Sequence, residues 1–316
     1  MTALVATALA ALSLASAAPR TAAPQTAPAQ TAPTQTAPAT SVDDVEVTAR
    51  RETAYAAARR FLDEVVETPQ DRGLARWDGK VCVGVINMQA AVAQQLVDRV
   101  SDRIAELDLP FGEPGCKPNI LIVATADGAA AAHAMVESRP RAFNTGVGGA
   151  NLSKLQLQAF QDSQAPVRWW RLTIPVDSET GAPIVRLPGE GAQLRDVSFA
   201  SRIRSQDRNL FVRTFIILDM PKMEGVDLNA VGDYVAMVSL AQIDADADVS
   251  GYSSILNLFN DPAGTRQMTE WDHTYLRSLY DAELNERHTR SQMGSVASAM
   301  ARSETSGVPA VTTDPR

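Results

Sequence analysis

The chain has 316 residues, 45% of them hydrophobic and 21% charged, a balance ordinary for a globular protein. Its formal net charge of −8 at pH 7 and pI near 5.0 argue against a general nucleic-acid binder, because phosphate-backbone affinity comes from counterions displaced around clustered Lys and Arg. With the two termini set aside, roughly 240 residues remain, enough for one domain with a sizeable core.

Residues 1–18 carry no charged side chain, and 4–14 are almost wholly apolar. That run is shorter than the about 20 residues that span a bilayer and matches the apolar core of a secretory signal. Ser16, Ala17 and Ala18 supply small side chains for cleavage, although the usual basic residue ahead of the apolar core is missing. An Ala-rich disordered leader is the alternative. The signal reading implies a periplasmic or secreted mature chain, and no later stretch has the length of a transmembrane helix. Residues 21–40 are four Thr/Ala/Pro-rich pentapeptides, three of them ending in Gln, with no large apolar side chain. Such a segment cannot bury enough surface to offset its ordering entropy, so 19–48 is expected to be an extended linker.

Apolar residues spaced by three and four (Ala54, Ala57, Ala58, Phe61, Leu62, Val65) predict an amphipathic helix over 51–67. A β-branched strand over 80–87 follows, then a helix over 89–107 with Val92, Leu96, Val100 and Ile104 on one face, then a fully apolar strand over 120–124. Strand, helix, strand at this spacing is a βαβ unit with a parallel pair. Cys82 and Cys116 both fall inside it. In an oxidising compartment they form a disulfide worth about 3 to 4 kcal/mol by loop closure; otherwise they are two buried thiols.

Asp127 is placed to cap a helix that carries His133. A glycine run at 146–149, near Arg139 and Arg141, offers backbone amides to an anion or serves as a plain connection. After a short helix over 152–161, residues 167–176 and 182–187 predict a β-hairpin at one sheet edge. Trp169 and Trp170 are consecutive within its first strand and so point to opposite faces. An exposed indole between Arg168 and Arg171 would make a carbohydrate- or peptide-binding surface; two buried rings are the alternative. A strong strand is expected over 210–219.

Asp227 then caps a helix, 227–242, that is apolar round most of its circumference and therefore belongs in the middle of the domain. An acidic turn at 244–250, a tight turn at 253–257 and a helix over 269–280 follow; Thr269 and Asp272 have capping-box spacing. Asp244, Asp246, Asp248 and Ser250 alternate like the opening of an EF-hand loop, but position six is Val249 and position twelve is Ile255, which leaves a weak calcium candidate. Beyond 289 the Ser-, Gly-, Thr- and Ala-rich composition predicts a mobile tail to 316.

The order βαβ, edge hairpin, strand, central helix, tight turn, final helix resembles the metzincin branch of zinc peptidases. Ser254-Ile255-Leu256-Asn257 is similar to that family's Met-turn, and Leu279-Tyr280 lies on a similar closing helix. The resemblance implies a mixed α/β, zincin-like fold over 49–288, and it is shared with uncharacterised bacterial exported proteins that carry over no activity. Where the family has His-Glu-x-x-His-x-x-Gly-x-x-His/Asp, this chain places Tyr234, Val238 and Asp244 at the ligand positions. Val235 stands at the general base, Ala241 at the glycine and Leu256 at the methionine. Zinc catalysis needs three donors and a base to activate water, and these residues supply neither. No cofactor is expected. The implied function is non-catalytic binding of a peptide, protein or glycan in the bacterial envelope. The alternatives are a hydrolase of another mechanism, built across the fold around His133 or His273, and a calcium-stabilised module.

Overall fold

The computed structural model describes residues 42–68, 73–144, 152–184 and 204–306, all within one unit, Val42–Arg316. The predicted leader, most of the pentapeptide linker, the glycine run at 146–149, the end of the second hairpin strand and the last ten residues lie outside them. Five strands form one mixed sheet: β1 (Ala75–Arg76), β2 (Val83–Ile86), β3 (Ile120–Thr125), β4 (Val167–Asp177) and β5 (Asp207–Asp219). β5 is its axis. It pairs in parallel with β1 and β3 and antiparallel with β4, while β2 lies parallel to β3.

Seven helices pack on this sheet among the described residues: α1 (Val42–Val65), α2 (Ala90–Ala105), α3 (Gly128–Ser138), α4 (Lys154–Asp162), α5 (Leu228–Leu240), α6 (Glu270–Asp281) and α7 (Thr289–Ser306). The period-two alternation of the strands assigns two cores. Ile120, Ile122, Val167, Trp169, Ile216 and Leu218 face the larger one, which also holds the apolar faces of α1, α2, α5, α6 and α7. Val123, Trp170, Leu172, Phe215 and Ile217 face a smaller one under α3 and α4. The result is a mixed α/β architecture in three layers.

The parallel β2–α2–β3 unit is present, and Cys82 and Cys116 form a disulfide within it, their Cα atoms 6.1 Å apart. Gly112 sits over this bridge; a Cβ there would come within 2.2 Å of Cys116 Sγ. No helix among the described residues is long and apolar enough to cross a membrane.

The edge strand β4 pairs with β5 along its length, and on its other side the Asp177 N–H donates to the Ala182 carbonyl and the Ile184 N–H to the Pro175 carbonyl, so the predicted hairpin is present as far as 184. Two expectations are corrected. First, α1 begins at Val42, inside the stretch expected to be linker, because helix composition returns as soon as the prolines end. Second, 289–306 is no tail: α7 lays Met293, Val296, Ala297 and Met300 against α1 and α6. These few apolar residues recur at three and four among Ser and Ala, so composition concealed a periodicity that packing uses.

α5 is buried from Ala230 to Leu240. It includes Asp233, a carboxylate closed off from solvent that accepts from Arg99 Nη2 and Arg103 Nε of α2, both at 2.8 Å, and from the Met268 backbone N–H at 2.8 Å. Burial works against its charge, but the hydrogen bonds from Arg103, Arg99 and Met268 hold its pKa below the ordinary aspartate value of 3.8.

Because that native value is depressed, the contribution of Asp233 is complete above pH 3.8 and is withdrawn as the pH falls through the lower native value. Asp233→Asn is expected to cost about 3 kcal/mol at pH 7 by leaving two arginines without their acid. Urea titrations between pH 7 and pH 2 should find this acid-linked loss in the wild type and not in the variant. Met300→Ala should cost about 2 to 4 kcal/mol; a cost under about 0.5 kcal/mol, as at an exposed site, would return α7 to a tail.

Candidate functional site

The loop that follows α5, the first half of β4, α4 and the end of α1 close around a cleft of about 290 Å³. β4 sends alternate side chains to opposite layers. Trp169 faces α5 and donates from Nε1 to the Ile243 carbonyl at 3.2 Å. Trp170 faces α4 and donates to the Phe143 carbonyl at 3.1 Å. Both rings are buried, so the exposed indole surface expected at Trp169 and Trp170 is absent; the elements on both faces of the sheet cover them.

Arg171 shares the face of Trp169 and lies in the core, where a guanidinium needs partners for its donors. It finds the Ala241 carbonyl at 3.1 Å, the Ile243 carbonyl at 2.8 Å and Glu67 Oε2 at 3.0 Å. Glu67 also accepts from Gln156 of α4. Burial pushes the Glu67 carboxyl above its ordinary range, against the opposing pull of Arg171. This cluster joins α1, β4, α4 and the turn after α5 into one wall of the cleft.

Arg168, on the opposite face, turns away under α3. It is 2% exposed, donates from Nη1 to the Gln161 carbonyl at 3.2 Å, and faces Asp219 at 3.9 Å. A Cβ on Gly128 would come within 2.6 Å of its Nη2, so the first turn of α3 admits no larger residue without displacing this side chain. Asp219 in turn accepts from the Gly128 N–H at 3.3 Å and from Lys222 at 3.0 Å.

Of the three positions aligned with metal ligands, Tyr234 and Asp244 line the cleft together, with Asp246 beside them. Val238 does not reach it. Val238 and Val235 are fully buried in the core, so neither of these two positions reaches the cleft wall. The Tyr234 ring lies edge-on to Trp169 at 6.1 Å and to Phe259 at 5.0 Å. Burial pushes its hydroxyl pKa up, and the hydroxyl makes no hydrogen bond among the described residues.

The calcium candidate does not assemble. Asp244 accepts from the backbone N–H of Asp246, and Asp248 from the backbone N–H and hydroxyl of Ser250, each acid closing its own turn. Among the described residues no group of three or more His, Cys, Asp or Glu is placed to hold a metal ion.

No protein-family model, curated protein or solved structure matches this chain.

Away from this lining, the turn at Ser254 is fixed by Asp272, which accepts from Ser254 Oγ at 2.5 Å, the Ile255 N–H at 2.8 Å and the Thr269 N–H at 2.9 Å. Despite those bonds, burial raises the Asp272 pKa. Leu256 fills the core beneath this turn. The histidines stand elsewhere. His133 bridges Asp162 at 2.8 Å and Gln161 at 3.1 Å on an exposed face, and His273 lies 3.2 Å from Glu106. Among the described residues neither imidazole bonds a serine, threonine or cysteine, so no nucleophile and base pair forms around them. Sequence reading missed Glu67 and Arg171 as parts of the site. The available signal was an arginine on the inward face of a strand, which demands a partner from elsewhere in the chain.

Arg171→Met keeps most of the side-chain volume but leaves Glu67 without its counter-charge and the buried Ala241 carbonyl without its donor. It is expected to destabilise by about 3 to 5 kcal/mol, read as a shift in the urea midpoint without a change in slope.

Proposed function

We propose that this is an exported, non-catalytic protein with a zincin-like domain that binds a segment of a peptide, protein or glycan in the cleft beside α5. One observation carries the reading: Tyr234 and Asp244, two of the positions where a zinc peptidase holds its metal, come to one cleft, whereas Val235 and Val238 are packed into the core. A cleft with aromatic walls and polar edges suits recognition. Hydrolysis by the zinc route requires an activated water, and neither phenol nor isopropyl side chains supply the ligand set or the base for one.

Export is supported by the apolar leader composition and by the Cys82–Cys116 disulfide, since such bonds persist in oxidising compartments. The metzincin ancestry rests on element order, the turn at Ser254 and the closing helix α6; the buried position of α5 agrees with it. The alternative of a hydrolase built on a histidine has less support, because His133 and His273 each pair with an acid rather than a nucleophile.

A panel of fluorogenic peptides, with and without added zinc, should give no turnover above background, while peptides or glycans without a scissile reporter should shift amide resonances of residues 244–246 and 156–165. Zinc-dependent cleavage abolished by Asp244→Asn would overturn the proposal.

A further inference from the structure

The charges around the cleft can be matched one by one. Glu67 is answered by Arg171 at 3.0 Å, and Arg168, though it lines the cleft, directs its guanidinium under α3 towards Asp219. Asp244 and Asp246 remain. Neither forms an ion pair among the described residues, although Arg171, already paired with Glu67, also acts on Asp244 electrostatically, and both border the space. Glu67, Asp244 and Asp246 against the single guanidinium of Arg171 leave the cavity with a net negative potential that low-dielectric walls focus.

The second observation is independent of those acids. Tyr234 is about nine-tenths buried, lines the same cavity, and has a hydroxyl with no hydrogen-bond partner among the described residues. A buried phenol normally finds a partner. Its oxygen is not sealed in the core, so its partner comes from what fills the cavity, solvent or a ligand group. Burial raises its pKa, so it stays protonated and can give its hydrogen to an acceptor or accept one from a donor. Beside it stands the Trp169 indole, an aromatic surface that attracts cations. The volume of about 290 Å³ lies at the lower end of ligand pockets, which favours a single side chain over an extended molecule.

On the reading of this cleft as a binding site, we propose that its occupant is a lysine or arginine side chain presented by a peptide or protein segment. The aliphatic stem lies against Trp169 and Tyr234, and the cationic head pairs with Asp244 and Asp246. Ser163 and Gln164 at the rim offer hydrogen bonds to the main chain on either side of the inserted residue. A neutral sugar would leave both carboxylates desolvated without a counter-charge, and an anionic ligand would be repelled by them.

The test uses the purified chain, calorimetry and amide NMR with a blocked tetrapeptide Ala-Ala-Lys-Ala, the same peptide with norleucine in place of lysine, and free spermidine. The lysine peptide should bind, with shifts centred on residues 244–246, and lose affinity as salt rises. The norleucine peptide should bind about tenfold more weakly or worse. Asp244→Asn combined with Asp246→Asn should weaken the lysine peptide by about tenfold, with the fold verified by an unchanged amide spectrum elsewhere. Tyr234→Phe should weaken it by about three- to tenfold. Equal binding of the norleucine peptide, an unaffected double variant, or spermidine binding as tightly as the peptide would each overturn the proposal. Should a neutral peptide or a glycan move the same resonances instead, this assignment fails while the binding-cleft reading stands; should no probe move them, both fail.

Discussion

The turn that leaves α5 is the constraint on which the cleft depends. A helix ends with carbonyls that lack intrahelical partners, and here that end is buried, with Ala241 rather than glycine after it. Trp77 donates to the Ser239 carbonyl and Tyr280 to the Leu240 carbonyl, and Arg171 takes over from the sheet just beyond. Its guanidinium reaches the Ala241 and Ile243 carbonyls, Trp169 donates to Ile243 as well, and the remaining charge is balanced by Glu67 at the end of α1. A cation at a helix C-terminus is also favoured by the helix dipole. The direction in which the chain leaves α5, and so the position of Asp244 and Asp246, follows from a side chain on a strand about seventy residues earlier.

The same device recurs across the fold. α6 ends under Arg76, which donates to the carbonyls of Leu279, Tyr280 and Ala282, with 2.9 Å to the first and 2.8 Å to the last. At the other end of α6, Asp272 accepts the N–H groups of Ile255 and Thr269, and the first amide of α3 meets Asp219. In each case a charge with the sign the helix terminus favours arrives from elsewhere in the chain or from the helix's own first turn. These ties cost desolvation, visible in the lowered pKa of Arg76 and the raised pKa of Asp272. What they return is fixed geometry: the rod of α5, the turn at Ser254 and the closing helix cannot slide without exposing a charge to the apolar interior.

Much of this arrangement was legible in the sequence. The βαβ unit, the caps at Asp127, Asp227 and Thr269, and the buried character of α5 follow from local spacing and side-chain chemistry, and each is present. Legibility failed where the decision was not local. The hairpin turn after β4 is local, but the long pairing of β4 with β5 is set by the register of the whole sheet. The Ser- and Ala-rich residues of α7 have little apolar surface of their own, so their helix exists because α1 offers a face to cover. Of the site, the sequence marked Tyr234, Asp244 and Asp246, but Glu67 and Arg171 lie 104 positions apart and carry no motif.

The residues along α5 separate into two kinds. Tyr234 stands at a wall that a ligand can touch, whereas Val238, one turn further along the same helix, belongs to the core and is fully buried with Val235. An imidazole placed at Val238 would enter an apolar environment, a desolvation cost of about 2 kcal/mol or more. A carboxylate at Val235 would cost more, because a buried charge is tolerated only with partners such as Arg99 and Arg103 supply to Asp233. The interior is packed around apolar side chains at these two sites, and packing of that kind resists a single polar substitution. What the helix offers to the cleft is one phenol and the rigid direction of the chain beyond it, so the polar chemistry of the cleft is left to the residues that follow α5 and to Glu67.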